Sequence, residues 1–413
     1  MTKLGDVCEY RSESVTVQEA ASMPLYISTD SMQSNRGPVS SSAIPDTGKV
    51  KRFEAGDTLV SNIRPYFKKI WHAEVNGTCS NDILVFRPVG CTPSFLFWTL
   101  NSDEFFAYVT KTAKGTKMPR GDKRAIMEYA VQVPLEDEQR SLCQIMNSLQ
   151  EKIALNNRTN DYLEELVSAR FAAAFGSNRP TTKLENVLRI STRSAKPQDH
   201  PNEIWEHYSI PAFDESHRPV MEFASNIKSN KYIVGKSSIL ISKLNPSVKR
   251  FWLPACLTKH SVCSTEFIVY EPIAPNRKSF YAAAISSDTF QNYLLAHVTG
   301  STGSRQRAQP KSTLDYPMPN PGKAEIEDFC LFADPIYAQI EENEHESASL
   351  TQLRDTLLPK LMSGEIDVIK TDLTQLNNHL ATYWAIGVDT AAVFIGCGII
   401  RAIANSANQL GLL

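Results

Sequence analysis

The sequence predicts an α+β protein in which two similar mixed α/β domains are separated by a long antiparallel two-helix coiled coil, giving a pseudo-two-fold internal repeat. Two observations predict this class: the chain carries nearly the same residue pattern twice, and each copy ends in an unusually long amphipathic helix. The expected boundaries are 1–135 for the first domain, 136–177 for the first helix, 178–321 for the second domain, 322–366 for the second helix, and 367–413 for a C-terminal tail of unknown role.

The internal repeat is visible in landmarks that recur in the same order. The first copy contains Lys3-Leu4, Trp71 and Pro88, and the second contains Lys183-Leu184, Trp252 and Pro272. The period of about 180 to 187 residues is much longer than the repeats of solenoids and propellers, so each copy is a whole domain with its helix. Two similar domains suggest a ligand with two similar sites.

Within each copy, short apolar runs bounded by Gly, Pro and Asn are typical of strands. Ile83 to Phe86 is one such run, and one helix is expected around Pro93 to Val109. Residues 180–320 repeat this pattern. Each copy is therefore expected to be a mixed domain of short strands with a helix packed on them.

Two long helices follow the domains. The first is expected after Pro134, where first-turn acids complement the helix dipole, and the second after Pro321-Gly322. About 40 residues at about 1.5 Å each give roughly 60 Å, and neither helix can bury its apolar stripe alone. The economical arrangement is an antiparallel pair in which the seam residues Asn156 and Asn343 meet and fix the register. The alternative of two separate core helices in unrelated domains stays open.

Composition gives only broad limits. The chain has 413 residues, 42% hydrophobic content and a net charge of −2, which fits an ordinary folded protein with two or three domains. Eight cysteines form no Cys-x-x-Cys pair and no signal peptide precedes them, so reduced thiols and a cytoplasmic location are expected. The uncharged run from Thr390 to Ile400 is shorter than the ~20 residues that a spanning helix needs, so no membrane contact is expected.

The sequence shows no catalytic or cofactor motif. Cys256, His260 and Cys263 offer three metal ligands without a fourth nearby, so no metal is assigned. No Gly-rich loop is followed by Lys-Ser or Lys-Thr, as a phosphate-binding loop would require. Asp334-Pro335 faintly resembles an amino-methyltransferase motif but lacks its second proline, and a helix start is expected there instead. We therefore expect no cofactor and no catalysis by this chain.

Basic residues cluster in loops, whereas the long helices are acid-rich. The clusters lie in 111–124 and 300–311 and in two turns at repeat-equivalent positions, 64–69 and 243–250. Lys and Arg neutralise phosphates, and Arg, Asn, Ser and Thr reach base edges, so these loops form the candidate DNA surface. The candidate DNA-binding residues are Arg64, Tyr66, Lys68, Lys69, Lys114, Thr116, Lys117, Arg120, Lys123, Lys243, Asn245, Lys249, Arg250, Thr302, Ser304, Arg305 and Arg307.

Three segments carry a resemblance to a known family. Residues 151–160 (EKIALNNRTN), residues 353–366 (LRDTLLPKLMSGEI) and the loop 115–122 (GTKMPRGD) resemble segments of the DNA specificity subunits of type I restriction-modification systems. The resemblance covers residues 1 to about 368, and the end of the second helix is its most specific part. The tail beyond departs from the family pattern.

The resemblance implies a function. In that family two target recognition domains each read one half of a bipartite site in double-stranded DNA, and the helix pair sets their spacing. Two methyltransferase subunits, which bind S-adenosylmethionine, dock on the specificity subunit, and a motor subunit of the same complex cleaves DNA. The specificity subunit itself is not an enzyme. The alternative is a coiled-coil scaffold, with two protein-binding end domains, that does not bind DNA.

Overall fold

The computed structural model of the chain describes residues 2–176, 180–299 and 306–366. Two compact units are present, one made of Met1–Ile153 with Glu346–Leu413 and the other of Ala154–His345. The boundary between the units falls inside both long helices, so each unit holds part of each helix. The predicted tail, residues 367–413, lies outside the described residues.

The first unit is a mixed domain of short strands and helices. Its strands are β1 (Thr2–Lys3), β2 (Cys8–Tyr10), β3 (Ser14–Thr16), β4 (Tyr26–Ile27), β5 (Lys49–Phe53), β6 (Thr58–Ser61), β7 (Ile70–His72), β8 (Gly77–Cys79), β9 (Ile83–Pro88) and β10 (Ala130–Val131). Its short helices are α1 (Val17–Ala20), α2 (Pro93–Leu100), α3 (Asp103–Thr112) and α4 (Lys123–Met127). A long helix, α5 (Glu136–Phe175), starts in this unit.

Two four-stranded sheets organise the first unit. One has the order β2-β9-β6-β7 and is antiparallel throughout, and the other has the order β3-β5-β8-β4 with β4 parallel to β8. Alternate residues of β9 face different cores, since Leu84 and Phe86 belong to the cluster that includes α2 and α3, and Val85 to the cluster with Phe53. The first sheet is therefore buried on both faces.

The prediction of one helix around Pro93 to Val109 is wrong in one respect, because two helices, α2 and α3, occupy that stretch. The chain leaves the helical conformation at Ser102, whose hydroxyl accepts a hydrogen bond from the Phe105 backbone N–H at 3.2 Å. A serine cap starts a new helix by satisfying one of its free N–H groups. Apolar residues on both sides of the cap conceal this break in the sequence pattern.

The second unit has thirteen strands among its described residues, and ten of them are equivalent, in the same order, to those of the first unit. The thirteen strands are β11 (Thr181–Lys183), β12 (Leu188–Ser191), β13 (Ser194–Ala195), β14 (Ile204–Tyr208), β15 (Val220–Phe223), β16 (Lys231–Ile233), β17 (Ile239–Ser242), β18 (Phe251–Trp252), β19 (Ser261–Cys263), β20 (Phe267–Pro272), β21 (Val298–Thr299), β22 (Arg307–Ala308) and β23 (Pro317–Pro319). Its helices are α6 (Ile210–Ser216), α7 (Lys278–Ser286), α8 (Asp288–Ala296), α9 (Pro310–Thr313) and the start of the long α10 (Lys323–Met362).

The sheets of the two units have matching topology. The order β12-β20-β17-β18 matches β2-β9-β6-β7. The other sheet, β13-β16-β19-β14-β15, matches β3-β5-β8-β4 in its one parallel pair, β14 with β19, and has one additional edge strand, β15. The register agrees as well: Leu59 pairs with Trp71 and Val85, and Leu240 pairs with Trp252 and Val269. The internal repeat seen in the sequence is therefore a repeat of structure.

The long helices α5 and α10 pack against each other in each unit. In the first unit, Leu142 and Met146 of α5 share a core cluster with Leu358 and Leu361 of α10, whereas further along α5, Leu149 and Ile153 cluster with Leu350. Residue numbers therefore increase along α5 where they decrease along α10, so the two helices are antiparallel in this unit. The helix α10 ends at a left-handed glycine, Gly364, which is a common way to stop a helix.

In the second unit the same helices meet through asparagines and aromatic rings. The Asn156 side-chain amide donates to the Asn343 carbonyl at 3.4 Å, and the Asn343 amide donates to Asn160 Oδ1 at 2.7 Å. Beyond them, the Phe171 and Phe329 rings lie 5.6 Å apart. The expected meeting of Asn156 and Asn343 is therefore present, at an offset of 187 residues between equivalent positions.

The helix start expected at Asp334-Pro335 is wrong, because both residues lie inside α10. The helix begins after Gly322, whose backbone N–H donates to Glu325 Oε2 at 2.9 Å. An internal proline removes one helical hydrogen bond, here the one to the Leu331 carbonyl. Leu331 is 77% exposed, so water can satisfy that carbonyl.

Candidate nucleic-acid interface

The first part of the candidate surface is the turn between β6 and β7, residues 62–69, which we call turn 1. A 3-10 helical turn at Pro65–Phe67 fills it, and Arg64 and Lys68 on either side have left-handed backbone with φ of 50°. Such a conformation is uncommon for residues other than glycine and persists only where the surroundings hold it. Turn 1 thus has a fixed shape that places the Arg64 and Tyr66 side chains at the surface.

The second part is the loop from Lys114 to Arg120, which we call loop 1. It is closed by two backbone hydrogen bonds, from Lys114 N–H to the Arg120 carbonyl at 2.8 Å and from Arg120 N–H to the Lys114 carbonyl at 2.9 Å. Between them Gly115 has φ of 96°, which favours glycine, and Thr116 and Lys117 are exposed. Loop 1 is a closed projection with a threonine and a lysine at its tip.

Backbone contacts join turn 1 to loop 1. Arg64 N–H donates to the Pro119 carbonyl at 2.8 Å, and Gly121 N–H donates to the Asn62 carbonyl at 3.2 Å. A Cβ on Gly121 would lie 2.9 Å from the Asn62 side-chain oxygen, so a larger residue at this position would require neighbouring side chains to shift. The structure therefore brings two of the predicted basic clusters onto one surface of the first unit.

Several predicted cations of the first unit already have acidic or carbonyl partners. Lys68 pairs with Asp103 at 2.8 Å, and Lys69 donates to the Thr29 carbonyl at 2.7 Å. Burial opposes ionisation of Asp103, but hydrogen bonds from Arg36 and Lys68 outweigh it and hold the pKa of Asp103 at about 2. Lys68 and Lys69 therefore also stabilise turn 1.

The other predicted residues of the first unit differ in how available they are. Lys114 pairs with Asp122, and Arg120 NH2 lies 2.9 Å from Asp82 Oδ1. Within the described ranges, the remaining cations of the surface make no ion pair; these are Arg64, Lys117 and Lys123. Those three, with the exposed Tyr66 and Thr116, are the groups most free to meet a ligand.

Among its described residues, the second unit repeats this construction at 243–250, which we call turn 2, and at 306 and 307, which belong to the segment 299–307 that we call loop 2. Asn245 has a left-handed φ of 47°, close to the 50° of Arg64 in turn 1. The Asn245 backbone N–H donates to the Gln306 carbonyl at 2.9 Å. Leu244 forms an isolated antiparallel β-bridge with Arg307, as Ile63 does with Arg120. Turn 2 and loop 2 therefore meet through the same backbone contacts as turn 1 and loop 1.

The repeat-equivalent of Arg120 is thus Arg307, which lies within the described part of loop 2. Arg307 Nε lies 3.0 Å from Glu266 Oε2, and its NH2 donates to Glu266 Oε1 at 3.1 Å. The other predicted residues of loop 2 lie outside the described residues; they are Thr302, Ser304 and Arg305.

The three predicted cations of turn 2 have different surroundings. Arg250 is 7% exposed and holds Asp214 through Nε and NH2, so its guanidinium supports turn 2 from inside. Lys249 is exposed but lies at an open cleft lined by acids of α5. Lys243 is partly exposed and makes no ion pair within the described ranges.

Sequence reasoning missed Asp82 and Glu266, the two carboxylates that pair with the loop arginines. Both stand directly before the first residue of a buried strand, in the equivalent runs 80–88 and 264–272. An acid at the same place in both copies was the available signal. Pairing with an arginine almost 40 residues away could not be read from spacing alone.

The described residues contain no cluster of His, Cys, Asp and Glu suited to a metal ion. Across the same ranges, none of the helices combines the length and the apolar character needed to cross a membrane.

Comparison with known proteins shows similarity to one family. Residues 1–165 match the family model described as the type I restriction modification DNA specificity domain. The first 165 residues are therefore similar to the specificity domain of that family, in agreement with the resemblance that the sequence motifs indicated. The match includes segment 151–160 but not the end of the second helix.

A curated relative supports the same family. The chain is 28% identical over 133 residues to the type I restriction enzyme HindI specificity subunit of Haemophilus influenzae. This segment is 30% of the present chain and 29% of the relative, so the match spans less than a third of the relative's length.

Solved structures extend the similarity along the chain. The type I restriction-modification S subunit from M. genitalium aligns with a TM-score of 0.51 at 14% identity, covering 87% of this chain and 95% of that one. The HsdS subunit from Thermoanaerobacter tengcongensis aligns with a TM-score of 0.35 at 18% identity, covering 88% of this chain and 96% of that one. The first of these alignments shows a shared fold of mixed helices and strands.

Proposed function

We propose that this chain is the non-catalytic, sequence-specific DNA-binding subunit of a type I restriction-modification complex. Each unit acts as a target recognition domain for one half of a bipartite site in double-stranded DNA. The observation that carries the proposal is the duplicated surface: turn 1 with loop 1, and turn 2 with loop 2, are built by the same backbone contacts and carry basic side chains. Two similar basic surfaces are expected in a protein that binds a DNA site with two halves.

The chemistry of these surfaces fits DNA. Arg64, Lys117 and Lys123 suit phosphate contacts, because they are cations without an acidic partner in the described ranges. Thr116 and the loop arginines can offer hydrogen bonds to base edges. Arg250 is better assigned to supporting turn 2, since Asp214 occupies its guanidinium.

The paired helices α5 and α10 would set the spacing between the two half-sites and dock two methyltransferase subunits, and through them the restriction subunits. An exposed apolar stripe on α5 supports docking: Leu155, Tyr162 and Leu166 are 44%, 69% and 49% exposed. Spacings of seven and four residues place them on one face of the helix. Such a stripe on an otherwise acidic helix suits a partner protein rather than DNA.

The proposal is tested by mapping methylated adenines in the host genome with and without this gene. Loss of methylation at one bipartite motif when the gene is deleted is the expected result. An unchanged methylation map would contradict the proposal.

A salt titration separates DNA binding from the scaffold alternative. The full chain in its complex should bind a duplex carrying the motif with an affinity that falls steeply as salt rises. A scaffold would show no sequence preference among duplexes.

A further inference from the structure

Each candidate surface contains one arginine that is held by a carboxylate. In the first unit Arg120 NH2 lies 2.9 Å from Asp82 Oδ1, and in the second unit Arg307 contacts both oxygens of Glu266 at 3.0 and 3.1 Å. These two pairs occupy equivalent positions in the repeat, although the acids differ. Both arginines keep about half of their side chain exposed, at 53% and 47%.

The backbone under each pair is also the same. Asn62 N–H donates to the Asp82 carbonyl at 2.8 Å, and Lys243 N–H donates to the Glu266 carbonyl at 2.9 Å. The backbone of each arginine forms a β-bridge with the neighbouring turn: Arg120 with Ile63 in the first unit, and Arg307 with Leu244 in the second. The acid and the arginine are therefore both anchored, and the guanidinium is oriented before any ligand arrives.

An anchored arginine beside a carboxylate is poorly suited to phosphate. An approaching phosphate would meet the negative charge of Asp82 or Glu266 about 3 Å from the cation, and like charges in contact are unfavourable. A neutral base edge meets no such repulsion. Guanine presents two acceptors, O6 and N7, in the major groove, and these match the paired donors of a guanidinium.

We propose that Arg120 with Asp82, and Arg307 with Glu266, are the base-reading pairs of the two units, each recognising a guanine in its own half-site. In this inference, which rests on the proposed function, the carboxylates are positioning residues. They orient the arginine and direct it away from the phosphate backbone. The unpaired Arg64, Lys117 and Lys123 contact phosphates instead.

The test uses the full chain in its complex, as in the salt titration, and a pool of duplexes with randomised sequence, from which bound molecules are selected and sequenced. Wild-type protein should enrich a bipartite motif with a guanine in each half. Asp82→Asn should lower the preference for guanine in one half on the order of tenfold, and Glu266→Gln should do the same in the other half only.

Binding to a duplex without the motif gives a second readout that a merely structural role would not produce. Removing the carboxylate frees the arginine for phosphate, so non-specific affinity should rise, and the slope of log K against log salt should steepen by about 0.9. A variant that was only misfolded would lose affinity for both kinds of duplex. Thermal melting of each variant checks the fold separately.

Matched controls remove an exposed acid that pairs with a cation elsewhere. Glu136→Gln breaks the pair with Arg140 in the first unit, and Asp199→Asn breaks the pair with Lys196 in the second. Both controls should keep the wild-type motif and salt slope. If they change binding as Asp82→Asn does, net charge explains the effect and the inference is overturned.

Arg120→Lys provides a further check, because it keeps the charge but loses the planar pair of donors. It should lose guanine preference with an unchanged salt slope, and unchanged preference would overturn the inference. If wild-type protein enriches a motif but Asp82→Asn and Glu266→Gln leave it intact, the inference alone fails. If wild-type protein enriches no motif, the proposed function fails and the inference with it.

Discussion

At the scale of single residues, the candidate surface depends on close backbone approach as much as on charge. Gly121 lies where loop 1 meets turn 1, and its missing side chain leaves room for Asn62, Ile126 and Val109. The residue preceding it, Arg120, bridges Ile63 across the same junction. Adding a single Cβ at Gly121 is therefore expected to shift loop 1 relative to turn 1.

We predict that Gly121→Ala lowers the free energy of unfolding by about 1–3 kcal/mol, because the added Cβ would lie within about 3 Å of three neighbours. Gly235→Ala is the matched control, since a Cβ there meets nothing within 4 Å and should change stability by less than about 0.5 kcal/mol. Denaturant titration of both variants measures the difference. Equal stability of the two would contradict the packing argument.

At the scale of elements, the sequence predicts the long helices well and the short ones less well. The starts of α5 and α10 follow a proline or a Pro-Gly pair with acids in the first turn, and these are local signals. The break at Ser102 could not be predicted, because apolar periodicity continues across it. The same continuity across Pro335 favours an uninterrupted helix, and the expectation of a helix start there gives the proline too much weight. The pairing of Arg120 with Asp82 was missed for a related reason, since it depends on strand register.

The asparagines on the helix seam make a prediction at this scale. Asn343→Leu removes the donor to Asn160 Oδ1 and leaves that partly buried oxygen without its bond, which should cost about 1–3 kcal/mol of stability. Asn157→Leu, the same substitution on the exposed face of α5, should have a much smaller effect. Denaturant midpoints of the two variants provide the comparison. A larger loss for Asn157→Leu would mean that the seam hydrogen bonds contribute little.

At the scale of the whole molecule, a net charge of −2 conceals a separation of charge between acid-rich helices and basic loops. The binding energy to a polyanion depends on the local cations that displace counterions and not on the sum. Cations of both units should therefore add in one salt dependence if both surfaces hold the same duplex.

We predict that Arg64→Ala, Lys117→Ala and Lys243→Ala each make the salt slope shallower by about 0.9, and that the combined variant shows the sum. Arg158→Ala is the control, because Arg158 is an exposed cation of α5 that belongs to none of the turns and loops defined above. Binding to one duplex is measured at several salt concentrations. A slope that responds to substitutions in only one unit would show that a single domain holds the DNA.

The buried ion pair between Lys152 and Glu346 bears on how copies of this chain avoid exchanging helices. The two groups lie 2.8 Å apart with side chains only 9% and 8% exposed, and the positions equivalent to them, at the offset of 187, are Gln339 and Thr159. If α5 of one molecule paired with α5 of another, Lys152 would face Thr159; if α10 paired with α10, Glu346 would face Gln339. Either homodimer would strand a charge away from water, a cost of several kcal/mol. The difference in charge between the two copies of the repeat at this pair therefore disfavours domain swapping.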